Sequence, residues 1–264
     1  MWSAILSPDF FTTILRSATP ILFATLAAAI AAKAGICNMA LEGIMLFSAL
    51  FGVIFSSITH SAWLGLLITM VLGGLIGMIL AFFILNLKTD EILAAIAINL
   101  TATGGTVLLL VAFSGDRGVS SSIRSVSAPS VVIPFVEKIP FIGSILSGQN
   151  VLTWLSILAV ILLHLFLYKT PLGLAIRAVG ENKNAAESVG ISSRKIQYIA
   201  LIISGVLAAM GGFYLSGGYM NMFTKDMAGG RGFIALAAAS MGGNTPIGGF
   251  LVSLLFGIAQ AVAN

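Results

Sequence analysis

The sequence predicts an all-α fold, a polytopic bundle of transmembrane helices in which some helices are broken or re-entrant. Hydrophobic residues make up 58% of the 264 residues and charged residues only 8%, and the mean hydropathy is +1.08. Such a composition is typical of a chain surrounded mostly by hydrocarbon. The length accommodates about six to eight spans of roughly 20 residues with short connections. We therefore expect a single membrane domain that covers residues 1–264.

Seven apolar runs predict membrane spans. They cover residues 19–32, 44–57, 62–87, 92–113, 151–168, 196–215 and 247–263. A further apolar segment, Phe233 to Ser240, is too short to cross, and Gly229, Gly230 and Gly232 precede it. Non-helical backbone at membrane depth must face protein or a water-filled cavity, so this segment is predicted to be a re-entrant or broken helix. The expected total is seven or eight membrane segments.

Glycine is frequent, with 29 residues in the chain, and Gly73 and Gly77 form a GxxxG pair in the third run. Small residues let helix backbones approach closely in lipid, where van der Waals contact drives association. The pair therefore predicts close helix packing.

One long connection, residues 114–149, carries Ser and Pro residues and is only moderately polar. Its stretch Ile133 to Ile145 alternates apolar residues with Pro and Gly. We expect this connection to form an external cap that lies on the membrane surface.

The other long connection, residues 169–195, is strongly polar and basic. Its first part contains Pro171 and Gly173, two residue types that commonly mark turns. Asn184, with Glu187 three residues later, is typical of a helix N-cap of the capping-box type. Gly190 is placed to end that short helix. This connection is therefore predicted to be an organised segment rather than a plain solvated loop.

Lys and Arg residues near span ends indicate orientation, because they concentrate in cytoplasmic loops. They fall in alternate loops, at Lys33, Lys88, Lys169, Arg177, Lys183, Arg194 and Lys195. That side is predicted to be the cytoplasm, which puts residues 169–195 inside the cell and residues 114–149 outside, together with the N-terminus. The net charge of +4 has this origin, so nucleic acid is not an expected partner.

The sequence contains no recognisable catalytic or metal-binding motif. Cys37 is the single cysteine, and there is no HExxH motif and no Gly-rich phosphate loop. We therefore predict no catalytic residue, no metal and no cofactor, and we expect Cys37 to be a packing residue. For an intramembrane serine protease, Ser204 and His164 are the best available pair. A packed or hydrogen-bonded His164 is the simpler interpretation.

Polar residues inside apolar runs are costly in lipid and are therefore candidates for function. Asn38 and Glu42 lie in AGICNMALEGIML, and Asn99 lies in the fourth run. Glu42 also suits the first turn of a helix, where the helix dipole favours an acid. Asn99 equally suits a hydrogen bond between helices. Both interpretations stay open at this point.

Three stretches carry a family resemblance. RAVGENKNAAESVGISSRKIQYIALIISGVLAAMGG and GGRGFIALAAASMGGNTPIGGFLVSLLFG, together with AAKAGICNMALEGIMLFSALFG near the N-terminus, resemble the inner-membrane permeases of bacterial ABC importers for nucleosides. Related permeases carry ribose-type sugars and, more distantly, branched-chain amino acids. The resemblance implies a multi-pass permease of the bacterial cytoplasmic membrane that works by alternating access. It also implies four partners: a cytoplasmic ATPase subunit, a second permease subunit that is identical or homologous, an external substrate-binding protein, and a nucleoside or related small molecule.

The resemblance also assigns roles to residues of this chain. It implies a cytoplasmic coupling helix, docked on the ATPase, at Glu181, Asn184, Ala185, Ala186, Glu187, Val189, Gly190 and Ile191. For the substrate path we select polar or aromatic groups near the helix breaks that could face a base or a ribose. They are Asn38, Glu42, Asn99, Asn221 and Phe223.

Other interpretations remain. A secondary transporter would need two matching halves and an ion-coupling acid, for which Glu42 and Asp226 are the acids near breaks. An intramembrane enzyme is the third class. Permeases of this kind usually add an apolar segment after the region that ends here at Asn264. We therefore expect either a naturally short protein or a longer gene product.

Overall fold

The computed structural model of the chain describes residues 8–116, 118–123, 125–131 and 147–263. Within them the chain is almost entirely helical. The long helices are α1 (Pro8–Lys33), α2 (Leu41–Thr59), α3 (Ala62–Leu85), α4 (Glu91–Ser114), α5 (Val151–Lys169), α8 (Ser193–Phe213) and α10 (Pro246–Ala263). The short ones are α6 (Pro171–Glu181), α7 (Lys183–Ser188) and α9 (Arg231–Met241), and a π-helical turn, Tyr214–Tyr219, extends α8. Seven of these helices are long and apolar enough to cross a membrane, which confirms the predicted all-α bundle.

The core of the bundle lies around α1. In its most apolar stretch 89% of the residues are buried, compared with 17% for α4. The alanine-rich second half of α1 lets neighbouring helices approach, and its threonines satisfy their hydroxyls within the helix, as in the bond from Thr25 Oγ1 to the Ile21 carbonyl (2.8 Å). Ser253 of α10 donates to the same Thr25 hydroxyl at 3.0 Å. The peripheral helices α3, α4, α5 and α10 present their exposed apolar side chains outward, as lipid requires.

The GxxxG pair of α3 packs closely against another helix, as predicted, and that helix is α8. A Cβ atom added at Gly73 would strike the carbonyl of Gly205, and one added at Gly77 would strike the carbonyl of Leu201. The two backbones therefore touch, and any larger residue would separate α3 from α8.

Two crossings of the bundle are broken. After α1 the chain makes a non-helical connection, residues 34–40, which we call the α1–α2 break, before α2 begins. The second break follows the π-helical turn, where residues 220–230 lead into α9 through Gly229 and Gly230, both with positive φ. The predicted element Phe233 to Ser240 is thus part of a broken helix of 11 residues.

The two ends of the bundle differ in charge. The basic end holds Lys33, Lys88, Lys169 and the short helices α6 and α7. At the opposite end two short strands, β1 (Ser130–Val131) and β2 (Gln149–Asn150), pair antiparallel. The described part of the predicted 114–149 cap is held there, for example by the bond from Ser125 Oγ to the Ser216 carbonyl (2.7 Å). The stretch Ile133 to Ile145, predicted to alternate, lies outside the described residues.

Candidate functional site

Asn38 fastens the α1–α2 break to the interior of the bundle. Its Nδ2 donates to Ser204 Oγ of α8 at 2.8 Å, and its Oδ1 accepts the Ala40 N–H at 3.1 Å. The Ser204 hydroxyl in turn donates to the Ala27 carbonyl of α1 at 2.6 Å. Asn38 and Ser204 are fully buried, so this chain of hydrogen bonds satisfies polar groups that lipid would leave unpaired.

Glu42 joins the two broken crossings. One carboxylate oxygen accepts the Gly230 N–H and the other accepts the Gly232 N–H, each at 2.7 Å. These are orphan donors at the start of α9, so Glu42 caps that helix from another helix and places a negative charge at its positive end. The approach requires glycine, because a Cβ atom at Gly232 would lie 2.5 Å from the Glu42 nitrogen.

Asn99 of α4 holds the start of α2. Its Oδ1 accepts the Gly43 N–H at 2.8 Å and its Nδ2 donates to the Met39 carbonyl at 2.9 Å. Asn99 lies eight residues inside α4, or about 12 Å from the basic end at 1.5 Å per residue. The α1–α2 break therefore rises from the basic end well into the bundle before α2 begins.

Three of the five predicted path residues, Asn38, Glu42 and Asn99, thus meet around the start of α2. The other two lie in the loop after the π-helical turn. Asn221 is exposed with φ of +56°. Phe223 is fully buried, and its N–H donates to Ser120 Oγ at 2.9 Å.

Two large cavities lie on different parts of the surface. A polar cavity of about 550 Å³ at the opposite end is lined by Arg16, Asn150, Tyr219 and Asn221 among others. An apolar cavity of about 750 Å³ lies between α2, α3 and α4, beside the stacked rings of Phe47 and Phe51. Of the predicted path residues, Asn221 alone lines either of these two.

The pair proposed for an intramembrane protease has other partners. Ser204 bonds to Asn38 and Ala27, as described above. The His164 ring packs against Tyr168 with centroids 4.7 Å apart. Within the described residues, no hydrogen bond joins His164 to Ser204.

The polar segment at the basic end is more helical than its sequence predicts. Pro171 and Gly173 do not interrupt it but begin α6, since Thr170 accepts the Gly173 N–H at 3.1 Å and Pro171 occupies the first helical position. Gly180 lies one residue before the end of α6 and packs directly against the α1–α2 break. A Cβ atom added at Gly180 would strike the Lys33 carbonyl. The reciprocal Cβ atom at Gly35 would lie 3.3 Å from the Gly180 Cα.

The cap of α7 is Asn182, and the prediction of Asn184 was wrong. Asn182 has extended backbone and its Oδ1 accepts the Ala185 N–H at 3.0 Å. Asn184 already lies inside the helix, where its carbonyl accepts a bond from Ser188 Oγ (2.9 Å). The predicted stop is confirmed, because Gly190 has φ of +84° and donates to the Glu187 carbonyl at 3.0 Å.

Some residues of this segment pack against the bundle, and the others are exposed. Ala186 is buried in the core and Ile191 packs against it. The other predicted coupling residues are exposed: Glu181, Asn184, Ala185, Glu187, Val189 and Gly190. Among the large apolar side chains that the structure describes, Val189 is the most exposed, at 76%.

The sequence did not predict the hydrogen bonds of Ser204 and Asn182, and it marked Gly230 and Gly232 only as a helix break, not as the partners of Glu42. An isolated hydroxyl in an apolar run is a signal for Ser204. The cap at Gly230 and Gly232 joins residues about 190 positions apart, and no local pattern contains that information.

Two broken crossings joined inside the bundle, with a polar segment in contact with one of the breaks, are typical of membrane transport proteins. The chain belongs to the family described as the permease component of the branched-chain amino acid transport system, which matches residues 10–264. Family membership implies a membrane context, an ATPase and a substrate-binding partner. With seven candidate spans it also makes the chain a multi-pass protein of the cytoplasmic membrane.

Curated relatives cover nearly the whole chain. The nucleoside ABC transporter permease protein NupC of Lactococcus lactis is 34% identical over 93% of this chain and 78% of its own length. The guanosine ABC transporter permease protein NupQ of Bacillus subtilis is 33% identical over 93% of this chain and 79% of its own. A glucose ABC transporter permease protein of Haloferax volcanii is 28% identical over 94% of this chain and 67% of its own. No solved structure matches the chain significantly.

Proposed function

We propose that this chain is the permease subunit of an ABC importer for nucleosides and forms the translocation path by alternating access. The observation that carries the proposal is the identity of 34% and 33% to two permeases named for nucleosides and guanosine, each over 93% of the chain. The complex would contain a second permease, identical or homologous, an external substrate-binding protein and a cytoplasmic ATPase that hydrolyses the ATP.

The basic end faces the cytoplasm in this proposal, and α7 is the coupling helix that docks on the ATPase. Exposure supports this role, because Val189 offers an apolar contact within a polar rim that includes Glu181 and Glu187. Ala186 and Ile191 hold the helix to the bundle from the other side. Such a helix is stiffly mounted and can transmit a displacement.

The displacement would reach the centre of the bundle through the α1–α2 break. Gly180 contacts the backbone of Lys33 and Gly35, and the break leads over Asn38 to Glu42, which holds α9. Each contact on this route is backbone to backbone or a short hydrogen bond. We therefore expect a movement of α6 and α7 to be transmitted to the start of α9.

For the substrate path we propose two kinds of residue. Asn38, Glu42 and Asn99 shape the path by positioning the two breaks, since their polar atoms already have protein partners. Asn221 lines the polar cavity through which a nucleoside would enter from outside, with Phe223 holding that loop in the core. Because the side chains of Asn38, Glu42 and Asn99 are already bonded to protein, they would hold a nucleoside weakly, which suits a path that must release its cargo.

Reconstituted uptake tests the proposal. Proteoliposomes that contain the chain, its ATPase and its binding protein should accumulate labelled nucleoside with ATP, and uptake should survive collapse of the proton and sodium gradients. Excess unlabelled nucleoside should compete, whereas ribose and leucine should not. Uptake that needs a gradient and not ATP would make the protein a secondary transporter. Competition by a sugar alone would favour the function of the glucose relative instead.

A further inference from the structure

A small polar cavity at the basic end has no ligand in the proposed transport cycle. Its volume is about 250 Å³. It lies where the end of α1, the end of α5, helix α6 and the turn between α9 and α10 meet. The residues that matter for its chemistry are Lys33, Tyr168, Arg177, Glu181 and Asn244.

Arg177 is held in place but is not fully bonded. Its guanidinium carbon lies 4.7 Å from the centroid of the Tyr168 ring, a cation–π geometry that fixes the plane of the group. Its Nε atom is buried and has no hydrogen-bond partner within the described residues. Such an atom is costly unless a ligand or water satisfies it.

The charged groups of Lys33 and Glu181 are also unpaired with the other charged groups of the cavity. In the part of the chain that the structure describes, Lys33 and Glu181 form no ion pair or hydrogen bond with each other, and neither forms one with Arg177. Two cations and one carboxylate thus surround one small cavity without neutralising each other. The complementary ligand carries a negative group for Lys33 and Arg177 and a positive group for Glu181.

The depth of the cavity indicates where that ligand comes from. Lys33 is the last residue of α1 and Tyr168 the last but one of α5. The final turn of a membrane span lies at the level of the lipid headgroups, where Tyr is favoured. Basic pockets between spans on the cytoplasmic side are known places for lipid headgroups.

We propose that this cavity binds the headgroup of a phospholipid that carries both a phosphate and a primary ammonium, the ethanolamine type. Lys33 and Arg177 hold the phosphate, Glu181 accepts the ammonium, and the Asn244 side chain closes the site from the α9–α10 turn. Binding of the lipid does not depend on the transported substrate.

Lipid competition on the purified full-length protein tests this inference. Phosphatidylethanolamine, phosphatidylglycerol and phosphatidylcholine with equal acyl chains are mixed in equal amounts, and the retained lipid is identified by native mass spectrometry. The wild type should retain the ethanolamine lipid over both others. Arg177→Gln should reduce that retention about tenfold, the loss of one charge-assisted hydrogen bond. Lys183→Gln removes the same charge from α7, outside the cavity, and should leave retention unchanged.

Glu181→Gln gives the diagnostic result. It removes the partner of the ammonium and keeps both phosphate partners, so retention should shift from the ethanolamine lipid towards phosphatidylglycerol. Arg177→Lys should recover part of the retention, which separates charge loss from misfolding. Equal retention of the three lipids by the wild type would overturn the inference. It is also overturned if Arg177→Gln keeps its lipid and weakens only binding of the ATPase, because the cavity would then be a protein contact.

Discussion

Glu42 connects two helices that are far apart in sequence through a single side chain. Both oxygens accept backbone N–H groups at the start of α9. Hydrogen bonds to a charged group contribute about 1.5–3 kcal/mol each, so this carboxylate is a major determinant of where α9 begins.

Replacing Glu42 should loosen α9. In Glu42→Gln one of the two N–H groups faces an NH₂ group instead of an oxygen, and we expect a loss of about 2 kcal/mol of stability. Thermal unfolding of the purified protein measures the loss. Glu187→Gln removes the same charge from an exposed position on α7 and is the control. Equal melting temperatures for the two variants would show that the cap contributes little.

Cys37 was predicted to be a packing residue, and this was wrong: it is exposed because it lies in the non-helical α1–α2 break. As the only cysteine of the chain, it offers a probe of that break. Although the residue is exposed, neighbouring atoms partly desolvate the sulfur. This desolvation, followed by the nearby Glu91 carboxylate, raises the pKa of the thiol above its ordinary value. Both causes disfavour the thiolate, so alkylation at neutral pH should be slower than that of a free cysteine. In Glu91→Gln the pKa should fall and alkylation at the same pH should accelerate. Labelling of the unfolded protein, where both variants should react alike, is the reference.

At the level of helices, those structural features that depend on local composition can be predicted from the sequence. The seven spans were predicted because each apolar run is long, and the broken α9 was predicted because glycines precede a run too short to cross. Gly73 and Gly77 predicted that α3 packs closely against another helix. The partner residue, Gly205 of α8, could not be identified, since no local pattern says which helix will be adjacent.

The short helix α7 shows how a local signal can be ambiguous. Asn182 and Asn184 are both N-cap residues by type, and the Glu three residues after Asn184 favoured the wrong one. The structure selects Asn182 because α6 ends there and its backbone is extended. Apart from the bond of Asn38 to Ala40, the partners of Asn38, Glu42 and Asn99 lie 56 to 190 residues away. The sequence therefore marks these residues as unusual without showing what they bind.

The two asparagines give a matched pair of variants. Asn182→Ala should destabilise α7 by about 1 kcal/mol, the usual cost of losing an N-cap. Asn184→Ala should change little, because its side chain has no hydrogen bond among the described residues. Hydrogen exchange of residues 183–190 measures the difference, with faster exchange expected for Asn182→Ala only. Faster exchange in Asn184→Ala alone would restore Asn184 as the cap.

The contact of α6 with the break is sensitive to a single methyl group. Gly180→Ala would force α6 away from the Lys33 carbonyl, at a cost of about 1–3 kcal/mol. We expect basal ATP hydrolysis of the complex to persist while its stimulation by loaded binding protein is lost. Gly104→Ala is the control, since nothing lies within 4 Å of that position. Normal stimulation in Gly180→Ala would exclude the break as the route of transmission.

For the whole molecule, burial divides the bundle into a rigid interior and a looser periphery. α1 and the α1–α2 break lie in the interior, whereas only 17% of the residues in the most apolar stretch of α4 are buried. An apolar cavity of about 750 Å³ lies between α2, α3 and α4. In the proposed cycle, a movement introduced at the basic end would act first on the interior helices, because α6 contacts the end of α1.

Docking of the ATPase should depend on Val189. Val189→Asp puts a charge at the centre of the proposed contact and should weaken ATPase binding about tenfold, as for a moderate interface hot spot. Val119→Asp makes the same change at the opposite end, where Val119 is 39% exposed, and should leave the affinity unchanged. Affinity of the ATPase for the detergent-purified permease is the measurement. Equal weakening in both variants would point to a general loss of folding.

The Glu42 cap also constrains the order in which the protein is made. Its two N–H partners follow it by 188 and 190 residues, which at ribosomal speed is a delay of about 10 to 40 s. During that interval the nascent chain carries an acid without partners, and hydrocarbon is a costly environment for it. We therefore expect the start of α2 to stay near water until the final third of the chain has been inserted, so that the centre of the bundle is completed last.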